Sequence, residues 1–179
     1  RVVLNESISI KSDVPELQDS ENLVFKAACL LKKSAGVKKG AHIDLTKRIP
    51  VSAGLGGGSS NAATTLLGLN ELWGLGLSKD ELMPLAVQLR SDVPFFLYGG
   101  TAMTLGRGER VRVLPSGDLK WFLILNPQIE VRNKTATLYG KLTGEQYTRR
   151  ALTRKLEARI KAGGDVPPQF LFNVFDAIA

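Results

Sequence analysis

Cysteine is almost missing from this sequence: Cys29 is the only one, so no internal disulfide can form, and nothing beside it resembles a metal-ligand cluster. A reducing, cytoplasmic setting fits that usage best. Histidine is equally scarce. His42 stands alone, without cysteines or clustered carboxylates nearby in sequence, and reads as a strand residue with no metal-site signal. Long apolar runs are missing as well: the longest, such as residues 121–125, fall far short of the roughly 20 residues that a membrane span needs, so no membrane partner is expected. No internal repeat or low-complexity segment is found. The chain opens on Arg1 with no basic-then-apolar signal pattern behind it, and reads as incomplete or processed at its start.

What is present is the balance of a soluble globular protein. The chain has 179 residues, 44% hydrophobic and 23% charged, enough for a buried core and for one large domain or one domain plus part of another. Lys plus Arg number 24 against 17 Asp plus Glu, a net charge of +7, which suits nucleic acid, a membrane surface or an anionic substrate. The distribution decides among them. Arg149, Arg150, Arg154, Lys155, Arg159 and Lys161 cluster, but without interleaved aromatics and in helical register with Leu152, Leu156 and Ile160. That pattern reads as a solvated helix face, and no nucleic-acid partner is expected.

Along the chain, residues 2–10 alternate as a strand with Val3, Ile8 and Ile10 apolar. Asn22 caps a helix that Gly36 stops. Residues 41–47 form a strand with Ile43 and Leu45 inward. A glycine-rich loop at 50–60 opens a helix carrying Ala62, Ala63, Leu66, Leu67, Leu69 and Trp73. Ser78 and Glu81 form a capping box for the next helix, which must end before Pro94. Residues 93–98, 101–105 and 110–114 read as short antiparallel strands joined by Gly99-Gly100 and Gly106-Arg107-Gly108. The best boundary is Pro115-Ser116-Gly117-Asp118. Beyond it, a buried strand at 121–125 and helices at 146–162 and 168–179 are expected.

The loop carries the chemistry. Gly54, Gly56, Gly57 and Gly58 allow positive φ and let backbone N–H groups approach a ligand unobstructed. Because the loop runs into a helix, the free N–H groups near Ser59 to Asn61 and the helix dipole would face an anion together. It is neither a Walker A sequence, lacking Lys-Ser or Lys-Thr after the glycines, nor a dinucleotide fingerprint. A flexible linker is the competing reading, but linkers do not sit directly between a strand and an amphipathic helix. Asp92, in Ser91-Asp92-Val93-Pro94 before Phe95-Phe96-Leu97, is expected near a buried wall, where a partly desolvated carboxylate could deprotonate a hydroxyl. On composition alone it reads better as a turn residue bonding nearby backbone. Cys29, between Ala28 and Leu30, reads as a small core hydrophobe, and Trp73 and Trp121 as core or boundary anchors.

Taken together, Pro50 through Ala63, then Leu69-Asn70-Glu71-Leu72-Trp73, then Ser91-Asp92-Val93-Pro94-Phe95-Phe96 closely resemble the 4-diphosphocytidyl-2-C-methyl-D-erythritol kinases. These belong to the superfamily of galactokinase, homoserine, mevalonate and phosphomevalonate kinases. The resemblance implies the two-domain α+β fold of those small-molecule kinases, incomplete here at both ends. Residues 1–118 would be the ATP-binding domain without its N-terminal strand, and 119–179 the beginning of the second, substrate-side domain. It implies ATP and Mg²⁺ as cofactors and phosphorylation of the 2-hydroxyl of a small-molecule cytidylyl substrate in the non-mevalonate isoprenoid pathway. The ATP phosphates would lie on Gly54, Leu55, Gly56, Gly57, Gly58, Ser59, Ser60 and Asn61, and adenine against Asn22 and Lys47. Asp92 becomes the catalytic base, and no residue is assigned as a metal ligand. The family's N-terminal lysine strand, its cytosine-holding Gly-Tyr-His segment and its C-terminal Gly-Ser-Gly motif have no match in this chain, and Arg90 stands where the family usually has glycine. A sibling kinase of the superfamily, or a nucleotide-binding fragment without catalysis, are the competing functions.

Overall fold

The computed structural model describes residues 1–117, 121–125, 134–146 and 150–176. They belong to two compact units, Arg1–Val113 and Leu114–Ala179.

In the first unit the alternation at 2–10 is divided between β1 (Val2–Asn5) and β2 (Ile8–Ser12), which flank β3 (Gly40–Leu45) on its two sides. β1 runs antiparallel to β3, with Val2 opposite Ile43, whereas β2 runs parallel to it, with Ile10 opposite Ile43. The single strand expected from sequence is therefore corrected to two. Val2, Ile8 and Ile10 all pack on the core, so the alternation runs through the break without a change of phase and conceals it. Between the two strands the chain passes over the end of β3, and it does so at Gly40. A Cβ there would lie 2.6 Å from Ser7 Cα and closer still to the Ser7 carbonyl group.

Asn22 begins α1 (Leu23–Ser34) as expected, its Oδ1 accepting the Val24 N–H at 2.9 Å. Gly36, at φ +64°, ends it: the Val37 N–H reaches back to the Lys32 carbonyl at 3.0 Å, closing a Schellman turn. α2 (Gly57–Leu72) and α3 (Lys79–Leu89) follow, the latter with the full Ser78–Glu81 capping box. Residues 93–98, expected as a strand, form a short helix, α4 (Val93–Tyr98). An apolar run of six is ambiguous between strand and helix. Pro94 suits a first helical turn, and burial of Val93, Pro94 and Leu97 follows the helical spacing. That leaves β4 (Thr101–Leu105) and β5 (Arg110–Leu114) as a two-stranded sheet.

The core lies where α1 to α4 meet one face of the three-stranded sheet. Leu31, Leu66, Leu69, Leu82 and Leu97 are fully buried there, each contributing about 1.5–3 kcal/mol by removal from water. Ala27, Ala28, Ala62 and Ala63, also buried, leave the room in which α1 and α2 approach each other closely.

The second unit contains α5 (Lys134–Gly140) and α6 (Ala151–Lys161) with helical turns at Gly144–Gln146 and Pro168–Phe170. Several expectations change. Residues 121–125 are exposed and form no strand, having no ladder partner among the described residues. The helix expected from 146 begins at Ala151, and that expected over 168–179 is reduced to Pro168–Phe170. Asp118, residues 147–149 and residues 177–179, on which parts of those readings fall, lie outside the described residues. On α6, Lys161 pairs with Glu157 at 2.7 Å and Arg159 with Asp165, so part of the basic run is neutralised locally. Among the described residues no helix is long and apolar enough to cross a membrane.

Two stability measurements follow. Gly40→Ala should lower the unfolding free energy by about 1–3 kcal/mol, the usual cost of overpacking; a urea midpoint equal to wild type would contradict the crowded crossing. Glu81 accepts hydrogen bonds from the Ser78 backbone N–H at 2.8 Å and hydroxyl at 2.7 Å, and these hold its pKa below the ordinary carboxylate value of 4.5. The folded pKa being the lower, this stabilisation is full above the unfolded value and is lost as pH falls through the folded one. Glu81→Gln should thus be less stable than wild type at neutral pH and converge with it in acid, whereas a pH-independent difference would exclude the carboxylate as its source.

Candidate phosphate-binding and catalytic site

The glycine loop curls through alternate residues of positive φ: Ser52 at +58°, Gly54 at +76° and Gly56 at +68°. Gly56 is the N-cap of α2, so the helix starts at Gly57. This shifts the anion-facing groups from those expected. The Ser60 N–H is bonded to the Gly56 carbonyl at 2.9 Å and is inside the helix. The first-turn N–H groups without an intrahelical acceptor are those of Gly57, Gly58 and Ser59, and the dipole's positive end lies there. Asn61 is a turn further on, its carbonyl accepting the Thr65 hydroxyl at 2.8 Å.

Two of these glycines sit close against neighbouring side chains. A Cβ on Gly57 would lie 2.7 Å from Lys47 Nζ and 2.9 Å from Ile49 Cγ2. One on Gly56 would lie 2.7 Å from Phe96 Cζ. The Lys47 ammonium therefore sits at the first residue of α2, adding a full positive charge to the helix terminus. Asp13 holds the Lys47 backbone in place, its Oδ1 accepting the Lys47 N–H at 2.9 Å. Sequence reasoning did not identify Asp13, because its bond spans a long stretch of chain and leaves no local pattern. Gly54 and Leu55 are exposed on the loop, Ser59 is buried and Ser60 half-buried.

Asn22 lies at the neighbouring start of α1, where the Leu23 methyl is 3.7 Å from the position of a Gly58 Cβ. Its Oδ1 caps α1 and its Nδ2 donates to the Leu17 carbonyl at 2.6 Å. The Lys47 ammonium stands beside the first residue of α2.

Asp92 occupies the N-cap position of α4 without making a capping hydrogen bond, which sets aside the turn-stabilising role. It is exposed, so the partly desolvated carboxylate expected from sequence is also corrected: Val93 and Pro94 take the buried positions and leave Asp92 facing outward. One turn further along α4, the Phe96 ring rests against Gly56 and packs edge-on to Phe95 at 5.0 Å between centroids. That contact ties the Asp92 turn to the glycine loop. Arg90 adopts an extended backbone, φ −166°, which any residue accepts, and is exposed; it decorates the turn without crowding it.

The remaining candidates take structural roles. Cys29 is half-buried on α1, and burial pushes its thiol pKa up against a smaller opposing effect of Lys32, opposite to an activated nucleophile. His42 bridges β2 and β3, with Nδ1 2.8 Å from Ser9 Oγ and Nε2 3.4 Å from Asp44 Oδ1. Trp73 C-caps α2 and donates to the Gly40 carbonyl at 3.4 Å. No cluster of three metal-ligating side chains occurs among the described residues. The first turn of α2, with an ammonium beside the buried Gly57 and Gly58 exposed, has the charge and the N–H groups that suit a phosphate chain.

Comparison with known proteins agrees with this geometry. The family description "GHMP kinases N terminal domain" matches residues 22–100, which contain the α1 cap, the glycine loop and the Asp92 turn. A 4-diphosphocytidyl-2-C-methyl-D-erythritol kinase of Dehalococcoides mccartyi is 43% identical over 175 residues, covering 97% of this chain and 61% of the relative. One of Shouchella clausii is 52% identical over 124 residues, covering 69% of this chain and 41% of the relative. The chain therefore spans about half of such relatives' length. Among solved structures, a 4-(cytidine 5'-diphospho)-2C-methyl-D-erythritol kinase superposes with a TM-score of 0.70 at 32% identity, over 98% of this chain and 62% of that one. Homoserine kinase from Cytophaga hutchinsonii, at 22% identity and a TM-score of 0.67 over 90% of this chain and 58% of that one, shares the α+β fold. The chain belongs to the GHMP kinases, and within them to the family of the 4-diphosphocytidyl-2-C-methyl-D-erythritol kinases.

Proposed function

We propose that this chain carries the nucleotide cradle and the proton acceptor of an ATP-dependent kinase that phosphorylates the 2-hydroxyl of 4-diphosphocytidyl-2-C-methyl-D-erythritol, in the non-mevalonate isoprenoid pathway. The observation that carries the reading is the start of α2: a glycine whose Cβ would crowd its neighbours, an ammonium beside it, and a neighbouring glycine packed under the helix that presents Asp92. In this reading residues 1–118 are the ATP-binding domain and 119–179 the beginning of the substrate-side domain, in a cytoplasmic enzyme.

Bound ATP supplies the phosphoryl group, with Mg²⁺ offsetting its charge. The chain's own residues do the rest. The N–H groups of Gly57, Gly58 and Ser59 and the Lys47 ammonium hold the phosphates and stabilise negative charge as it moves toward the leaving oxygen. The exposed Gly54–Leu55 part of the loop covers them. Asn22 fixes the start of α1 beside the cradle. Asp92, free of any capping bond, orients the acceptor hydroxyl and takes its proton at a carboxylate oxygen. Being exposed, it works by position within reach of an incoming hydroxyl.

Asp92→Asn in the full-length protein should leave affinity for a non-hydrolysable ATP analogue within about twofold and lower kcat by about 10²–10⁴-fold, the range of a general base. Undiminished turnover would remove Asp92 from the role. Gly57→Val should weaken analogue binding at least about tenfold by filling the cradle; calorimetry that finds wild-type affinity in a folded variant would remove the cradle instead.

A further inference from the structure

The hairpin turn Gly106-Arg107-Gly108 has no part in the site described above, yet it touches that site's backbone. Gly108, between β4 and β5, has φ +110° and lies directly against the backbone of Ser91. A Cβ on Gly108 would collide with the Ser91 carbonyl oxygen, and would lie 2.9 Å from the carbonyl carbon and 3.4 Å from Cα. Ser91 immediately precedes Asp92. The neighbour in contact is main chain, so it cannot swing aside as a long side chain would, and any added atom must move the peptide that leads into Asp92.

The turn itself is stiffened by its own residues. The Gly108 N–H donates to the Leu105 carbonyl at 3.2 Å. Glu109 folds back across the turn, its Oε2 accepting the Arg107 N–H at 2.6 Å. Backbone N–H groups of Glu109 and Arg107 hold that carboxylate's pKa below its ordinary value, as expected for a charge-assisted latch. On the opposite side, the Ser91-Asp92 segment is bounded by the Val93 N–H bonded to the Arg90 carbonyl at 3.2 Å and by the buried Val93 and Pro94. The Asp92 turn is thus confined between the base of α4 and the latched hairpin.

We propose that Gly108 is a positioning residue: the β4–β5 turn, by backbone contact with Ser91, sets where the Asp92 carboxylate stands relative to the cradle at α2. The inference rests on the kinase reading and adds to it a structural element that contributes no atom to substrate or nucleotide. Displacing a reacting group by about 1 Å can cost up to 10²-fold in rate. Loss of Gly108 should therefore appear in turnover and leave nucleotide affinity alone, since the cradle is built from other segments.

The test is Gly108→Ala in the full-length protein, beside Gly74→Ala, which also places alanine at positive φ, +65° against +110° at Gly108, with nothing within 4 Å of the new Cβ. Both strain the alanine backbone, Gly108→Ala the more because +110° lies outside the left-handed well, and only Gly108→Ala meets Ser91. Gly108→Ala should lower kcat about tenfold or more, with ATP-analogue affinity within about twofold of wild type, while Gly74→Ala keeps wild-type kcat. A folded Gly108→Ala with wild-type kcat, or one whose defect lies wholly in nucleotide affinity, would overturn the proposal. Glu109→Ala, which loosens the latch without adding bulk, gives an independent measure should Gly108→Ala fail to fold: about a threefold fall in kcat is expected for partial loss of positioning, and an unchanged kcat would also overturn it. If instead wild type is inactive or Asp92→Asn is fully active, the kinase reading fails, an outcome distinct from failure of Gly108 alone.

Discussion

Where α2 begins, two consecutive glycines stand where a side chain would crowd its neighbours. Phe96 closes the space above Gly56, and Lys47 with Ile49 closes that above Gly57. The organisation of the site depends on this crowding. It brings the segment after β3, the first turn of α2 and α4 into close approach. It also delivers an ammonium to the positive end of the helix dipole, beside the first-turn N–H groups. Glycine costs a helix roughly 1 kcal/mol relative to alanine, so its use at Gly57 and Gly58 opposes local helix propensity. The compensation comes from packing further along, where Ala62, Ala63, Leu66 and Leu69 are completely buried.

A second close approach repeats the device at Gly108, and a third at Gly40, where the chain passes over the end of β3. In each case main chain meets main chain or a functional side chain, and in each the glycine's value lies in the atoms it lacks. Gly40 fixes the sheet against which α1 and α2 pack, Gly56 and Gly57 fix the proposed phosphate cradle, and Gly108 bears on the peptide before Asp92. These contacts form one chain of constraints from the sheet to the two ends of the proposed transfer.

Much of this was legible in the sequence where the signal is local. Asn22, Gly36 and the Ser78–Glu81 box mark helix ends because capping is a short-range hydrogen bond between a side chain and the adjacent turn. The loop's composition pointed to the proposed anion site. The sequence reading nevertheless placed the free N–H groups two residues late, since glycines read as loop until neighbouring segments are known to force a helix on them. Residues 93–98 were misread for a related reason: six apolar and aromatic residues suit either element, and only packing against α2 and α3 selects the helix. Asp13 and Gly108 left no trace, because one bonds a distant backbone N–H and the other is defined by what it would strike. The expected buried strand at 121–125 has no pairing partner among the described residues, and periodicity cannot supply one.

The central claim is that anion binding falls on the backbone at the true start of α2, backed by Lys47. It is tested most directly by following backbone amide NMR shifts while a non-hydrolysable ATP analogue is titrated into the protein. The largest changes should fall on the N–H groups of Gly57, Gly58 and Ser59, accompanied by Lys47, and should be abolished when the analogue is replaced by adenosine. Changes centred on the basic face of α6, or equal responses to adenosine and the triphosphate, would contradict the account.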